Sequence, residues 1–70
     1  MNVKYRTWRG HEEESELSDL VASALRRGDT DRDDITSITD SIGRLLERLV
    51  EYNIITLREV NEIAGTRIYE

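Results

Sequence analysis

The spacing of hydrophobic positions changes along the chain, and each change predicts an element. Val3, Tyr5 and Thr7 alternate with Lys4, Arg6 and Trp8, a period of two that predicts an extended arm or short strand ending at Gly10. From about Glu12 the period becomes helical. Leu17, Leu20, Val21, Ala24 and Leu25 share one face, acidic residues crowd the first turn, Arg26 and Arg27 occupy the last, and Gly28 supplies a left-handed stop. Gly28 to Asp34 is a polar turn that offers Thr30 or Asp31 as the next N-cap.

The strongest pattern follows. Ile35, Ile38, Ile42, Leu45, Leu49 and Tyr52 are spaced three, four, three, four, three, a heptad seam. Leu46 and Val50 widen the apolar stripe to roughly 160° at about 100° per residue, broader than a two-stranded seam, so this helix is expected to pack against more than one neighbour. Asn53 is a candidate left-handed C-terminal residue. Thr56-Leu57-Arg58-Glu59 is a capping box, with Ile55 and Val60 at the staple positions, and Gly65 ends the short third helix. Ile68 and Tyr69 in the tail are placed to pack on the body or pair with the arm.

These elements predict a mostly all-α fold: a small bundle of three helices, about 12–27, 32–52 and 57–64, in a helical domain spanning 11–70, with a basic extended arm over 1–10. Composition adds one consideration. Hydrophobic residues are 37% of the chain, there is no phenylalanine, and Trp8 is the only tryptophan. A monomer therefore has few large side chains for its interior, and a homo-oligomer is expected to complete the bundle. Ile35, Ile38, Ile42, Leu45, Leu46, Leu49, Val50 and Tyr52 form the expected core or oligomer face. No cysteine, no signal peptide and no long apolar run predict a cytoplasmic protein without membrane contact.

The net charge of −5 is segregated. Residues 1–10 carry +3, residues 11–34 carry −6, and residues 35–70 carry −2. The acidic run Glu12, Glu13, Glu14, Glu16 and Asp19 is a candidate partner-binding face. Together with Asp29 to Asp34 it is also a candidate imitation of a phosphate row, a nucleic-acid mimic. Its plainer reading is a solvated helix start with favourable charge. Lys4, Tyr5, Arg6, Trp8 and Arg9 interleave cations with rings, the combination that binds nucleotides by stacking and phosphate pairing. The plainer reading is an arm whose rings cover the bundle while its cations meet the acidic helix.

The run Thr56-Leu57-Arg58-Glu59-Val60-Asn61-Glu62-Ile63-Ala64-Gly65 resembles the first helix and turn of the helix-turn-helix in bacterial repressors of the LacI and MerR kind. That family reads DNA with the helix after the turn, and only five residues follow Gly65 here. Asn61 also stands where the family usually has a small residue. A capped helix with a glycine stop is the reading retained, and duplex DNA is not an expected partner. Asp29-x-Asp31-x-Asp33 matches the start of an EF-hand loop, but the sixth position is Asp34 instead of glycine and the twelfth is Asp40 instead of glutamate, so the aspartates read as caps.

His11 is the only histidine and no cysteine accompanies it, which leaves a zinc site little support. No glycine-flanked nucleophile is present, so neither enzymatic activity nor a cofactor is expected. The general look is similar to accessory proteins of bacteriophages and mobile elements. The expected function is a small acidic helical module that binds another protein as inhibitor or adaptor through its acidic face. The alternatives are a nucleotide or anion binder using the arm, and a nucleic-acid mimic.

Overall fold

In the computed structural model, which describes residues 1–26 and 33–70, two strands precede three helices: β1 (Asn2–Arg6), β2 (Glu12–Glu16), α1 (Leu17–Arg26), α2 (Asp33–Glu51) and α3 (Leu57–Ala64). The mostly all-α expectation is thereby corrected. The arm is one strand of a two-stranded antiparallel sheet, and residues 12–16, expected as the first helical turn, are the other strand. The reason is physical. Glu12 to Glu16 contain no apolar residue and so offer a helix no face to bury, whereas β1 presents Lys4 opposite Glu14 and Arg6 opposite Glu12. The apolar stripe begins at Leu17, and the helix begins there too.

The hairpin closes through a turn over Trp8 and Arg9, in which the Gly10 amide donates to the Thr7 carbonyl at 2.9 Å. Gly10 then takes φ +84°, a left-handed position that suits glycine and turns the chain back into β2. The stop expected at Gly28, the cap expected at Thr30 or Asp31 and the EF-hand-like Asp29 and Asp31 lie outside the described residues.

Helices α1 and α2 run antiparallel. At one end the Ser18 amide of α1 donates to Glu47 Oε2 at 3.3 Å, and at the other Arg26 Nη2 meets Asp40 Oδ1 at 2.9 Å. Glu47 thus supplies an acceptor and a negative charge to the start of α1, where the first amides have no partner within the helix. Between these ends Gly43 lies so close to α1 that a Cβ added there would collide with the Ser18 carbonyl oxygen. Gly43 shares one side of α2 with Thr39, Leu46 and Val50, all buried. The Thr39 hydroxyl is satisfied within its own helix by the Ile35 and Thr36 carbonyls.

Helix α2 ends in a Schellman arrangement. Asn53 adopts φ 59°, its amide donates to the Val50 carbonyl, and the Ile54 amide donates to the Leu49 carbonyl. Helix α3 begins at the capping box: the Glu59 amide donates to Thr56 Oγ1 at 3.2 Å, and the Thr56 amide donates to Glu59 Oε1 at 3.2 Å. Gly65 closes it at φ 72°.

The tail is held by Asn61. Its Oδ1 accepts from the Ile68 amide and the Thr66 hydroxyl, both at 2.8 Å, while its Nδ2 donates to the Ile68 carbonyl at 3.0 Å. That clasp sets Ile68 beside β1, where Tyr5 and Ile68 form an antiparallel bridge flanked by Arg6 N to Arg67 O at 3.0 Å and Tyr69 N to Lys4 O at 2.9 Å. Strand β1 is therefore paired on both sides. The core beneath it joins Val3, Leu17, Val21, Leu46, Val50, Val60, Ala64 and Ile68.

Two substitutions test this packing. Gly43→Ala, which in an exposed helix interior stabilises by about 0.5–1 kcal/mol, should here destabilise by roughly 1–3 kcal/mol because the methyl meets backbone. A chemical denaturation midpoint at or above that of the natural chain would exclude the close approach. Asn61→Ala should cost about 1–3 kcal/mol by removing three hydrogen bonds to the tail at once, and amide exchange at Ile68 should accelerate with it. Unchanged exchange there would mean that the tail is held by something else.

Candidate functional site

Three groups of side chains are candidates. The acidic set is divided. In the hairpin register, Glu12, Glu14 and Glu16 lie on the face that carries Asn2, Lys4 and Arg6, so cations and carboxylates alternate there. Glu13 is on the opposite face, where its carboxylate accepts from the Tyr5 hydroxyl at 3.1 Å. Burial, reinforced by this carboxylate, pushes the Tyr5 hydroxyl above its ordinary pKa of 10.0. Glu16 accepts from the Met1 ammonium at 2.6 Å and holds that amine above its ordinary value of 8.0. Asp19 stands apart, with Ser18, Asp40 and Arg44 around a hollow of about 250 Å³.

The arm set is partly gathered. Tyr5, Arg6 and Trp8 line one hollow of about 320 Å³ together with Leu20, Ala24 and the segment Gly65-Thr66-Arg67. The Arg6 guanidinium lies 5.9 Å from the Tyr69 ring centroid, and its Nε donates to the Tyr69 hydroxyl at 3.2 Å. Arg9 stacks on Trp8 at 4.8 Å, outside the hollow, and Lys4 faces Glu14 across the strands. Arg67 is the contribution that the pattern of the arm did not indicate. It arrives because the tail pairs with β1, and the alternation Arg67-Ile68-Tyr69 is the trace of that strand in the sequence.

The third group is the outward side of α2. Of the eight residues expected as core or oligomer face, Leu46 and Val50 are buried in the core, and Ile35 and Leu49 are half-buried. Ile38 is 59% exposed, Ile42 38%, Leu45 57% and Tyr52 64%. At about 100° per residue, the buried stripe of Thr39, Gly43, Leu46 and Val50 and the heptad seam are centred roughly 95° apart. Helix α2 thus carries two adjacent stripes, and α1 covers the one that contains its glycine. A lone glycine in a helical pattern marks such a close approach, and Gly43 was the available sign of which stripe turns inward.

Among the described residues, no cluster of three or more His, Cys, Asp or Glu side chains is arranged to hold a metal ion. Among them also, no helix is long and apolar enough to cross a membrane. Comparison with protein-family models, with curated proteins and with solved structures finds no match to this chain.

Proposed function

We propose that this chain is a small protein-binding module, an inhibitor or adaptor that works by contact alone, and that its contact surface is the outward stripe of α2. The observation that carries this reading is the exposure of Ile38, Ile42, Leu45 and Tyr52 along one line of one helix. Scattered apolar residues on a surface are ordinary, but a continuous row at heptad spacing is the pattern that receives another helix. The acidic residues fit the role less well, because Glu12 and Glu14 stand opposite cations and Glu13 is tied to Tyr5. A cytoplasmic setting accords with a chain that has no cysteine.

Leu45→Glu tests the reading, since a carboxylate there spoils the stripe and leaves the core untouched. Affinity capture from a lysate of the source cells should retain at least one protein on the natural chain that Leu45→Glu loses, with the circular dichroism melt unchanged. Identical retention on both would remove α2 as the contact surface.

A second reading rests on the hollow at Tyr5, Arg6, Trp8 and Arg67, where two guanidiniums and two rings adjoin the apolar Leu20 and Ala24. It favours a planar anion such as a nucleotide. Trp8, 80% exposed, is its reporter: ATP should quench Trp8 fluorescence saturably, and Arg67→Ala should weaken that binding about 10-fold or more, the equivalent of a charge-assisted hydrogen bond. Fluorescence that does not respond to ATP would dismiss this site.

A further inference from the structure

The outward stripe of α2 reads the same in both directions. Its intervals, three, four, three, four, three from Ile35 to Tyr52, are unchanged on reversal, with the midpoint between Ile42 and Leu45. We infer that a second copy of this chain occupies the stripe, its α2 antiparallel to the first about a two-fold axis at that midpoint. This inference rests on the reading of the stripe as a protein contact surface and names the protein.

Antiparallel pairing sets Ile35 level with the partner subunit's Tyr52, Ile38 with the partner subunit's Leu49, and Ile42 with the partner subunit's Leu45. The two-fold axis repeats each pair, so all six seam residues of each copy gain an apolar neighbour at the same level. An isologous interface requires this self-complementarity, and an unrelated partner helix does not impose it.

Charge selects the direction. On the edge of the seam away from Gly43 and α1, helical projection places Asp34, Ser41 and Arg48 in one row. Parallel helices would set this row against the opposite edge of the partner, the one that carries Thr39, Leu46 and Asn53, and would pair no charge with a charge. Antiparallel helices bring the acidic end of each row towards the basic end of the other, and flanking charges of this kind set helix orientation in coiled coils. The opposed helix dipoles act in the same sense. On the other edge, α1 remains seated on Gly43, so the dimer needs no rearrangement of the core.

The chain has no cysteine, which makes directional cross-linking clean. Ile35→Cys and Tyr52→Cys, prepared separately and mixed under mild oxidation, should join Cys at 35 of one chain to Cys at 52 of the other. Neither variant should cross-link to itself, because in the antiparallel pair like positions are 17 residues apart along the helix, about 26 Å, against a Cα reach of about 7 Å for a disulfide. Sedimentation of the natural chain should give twice the 8.2 kDa chain mass, and Leu45→Glu or Ile38→Glu should return it to one chain mass with helicity intact.

Self-cross-linking of Ile35→Cys, or a natural chain that stays monomeric at every concentration, would overturn the inference. A monomer whose captured protein is lost in Leu45→Glu would defeat the self-pairing and keep α2 as a contact surface for another protein. If Leu45→Glu changes neither mass nor capture, both fail.

Discussion

Helix α2 lies against α1 at a point where it has no side chain, and that approach decides which residues the molecule buries. With a Cβ at position 43 colliding with the Ser18 carbonyl oxygen, only glycine lets the two backbones come this near. The contact also fixes rotation. Once Gly43 faces α1, Leu46 and Val50 point into the core, and Ile38, Ile42 and Leu45 point away from it. Two polar contacts hold the same alignment from its ends, Glu47 at the Ser18 amide and Arg26 at Asp40. Both are partly exposed, so their contribution is chiefly register, while the apolar contacts between them supply the attraction.

The remaining layer is organised by hydrogen bonds that cross long stretches of sequence. Strand β1 receives β2 on one side and the tail on the other, and the tail can lie there because Asn61 stands in for a strand partner to Ile68. An amide is the side chain suited to this, since it donates and accepts as a peptide group does. The capped start of α3 at Thr56 and its left-handed end at Gly65 fix the position of Asn61, and through it the tail. Tyr69 then meets Arg6, and Arg67 joins Arg6 and Trp8 around the hollow whose lining includes Leu20 and Ala24 of α1.

Local signals in the sequence were accurate where the physics is local. The capping box at Thr56, the left-handed Asn53 and the glycine at 65 each depend on a few adjacent residues, and each stands as its pattern indicates. The second strand was illegible for the opposite reason. Glu12 to Glu16 have low strand propensity and no apolar alternation, and they become a strand through what lies opposite them. An acidic run ahead of a helical stripe looks the same whether its charges meet a helix dipole or the cations of a neighbouring strand. The α2 stripe shows a third case. Its width was readable, but the choice of which half to bury was made by one glycine whose partner, Ser18, is 25 residues away.

That choice explains why a chain with few large side chains places several of them outside. Its innermost positions are taken by smaller groups, Val21, Ala22, Val60 and Ala64, with Leu17 the largest of those fully buried. Turning α2 by roughly 95° to bury the seam would carry Ile42 towards the place that Gly43 occupies, where no β-carbon fits beside Ser18. Among the described residues, the stripe is therefore exposed by the same packing that makes the monomer. Ile38 and Leu45, more than half exposed on this face, gain little from the chain's own core, and most of their hydrophobic energy would be realised only if a second molecule covered them.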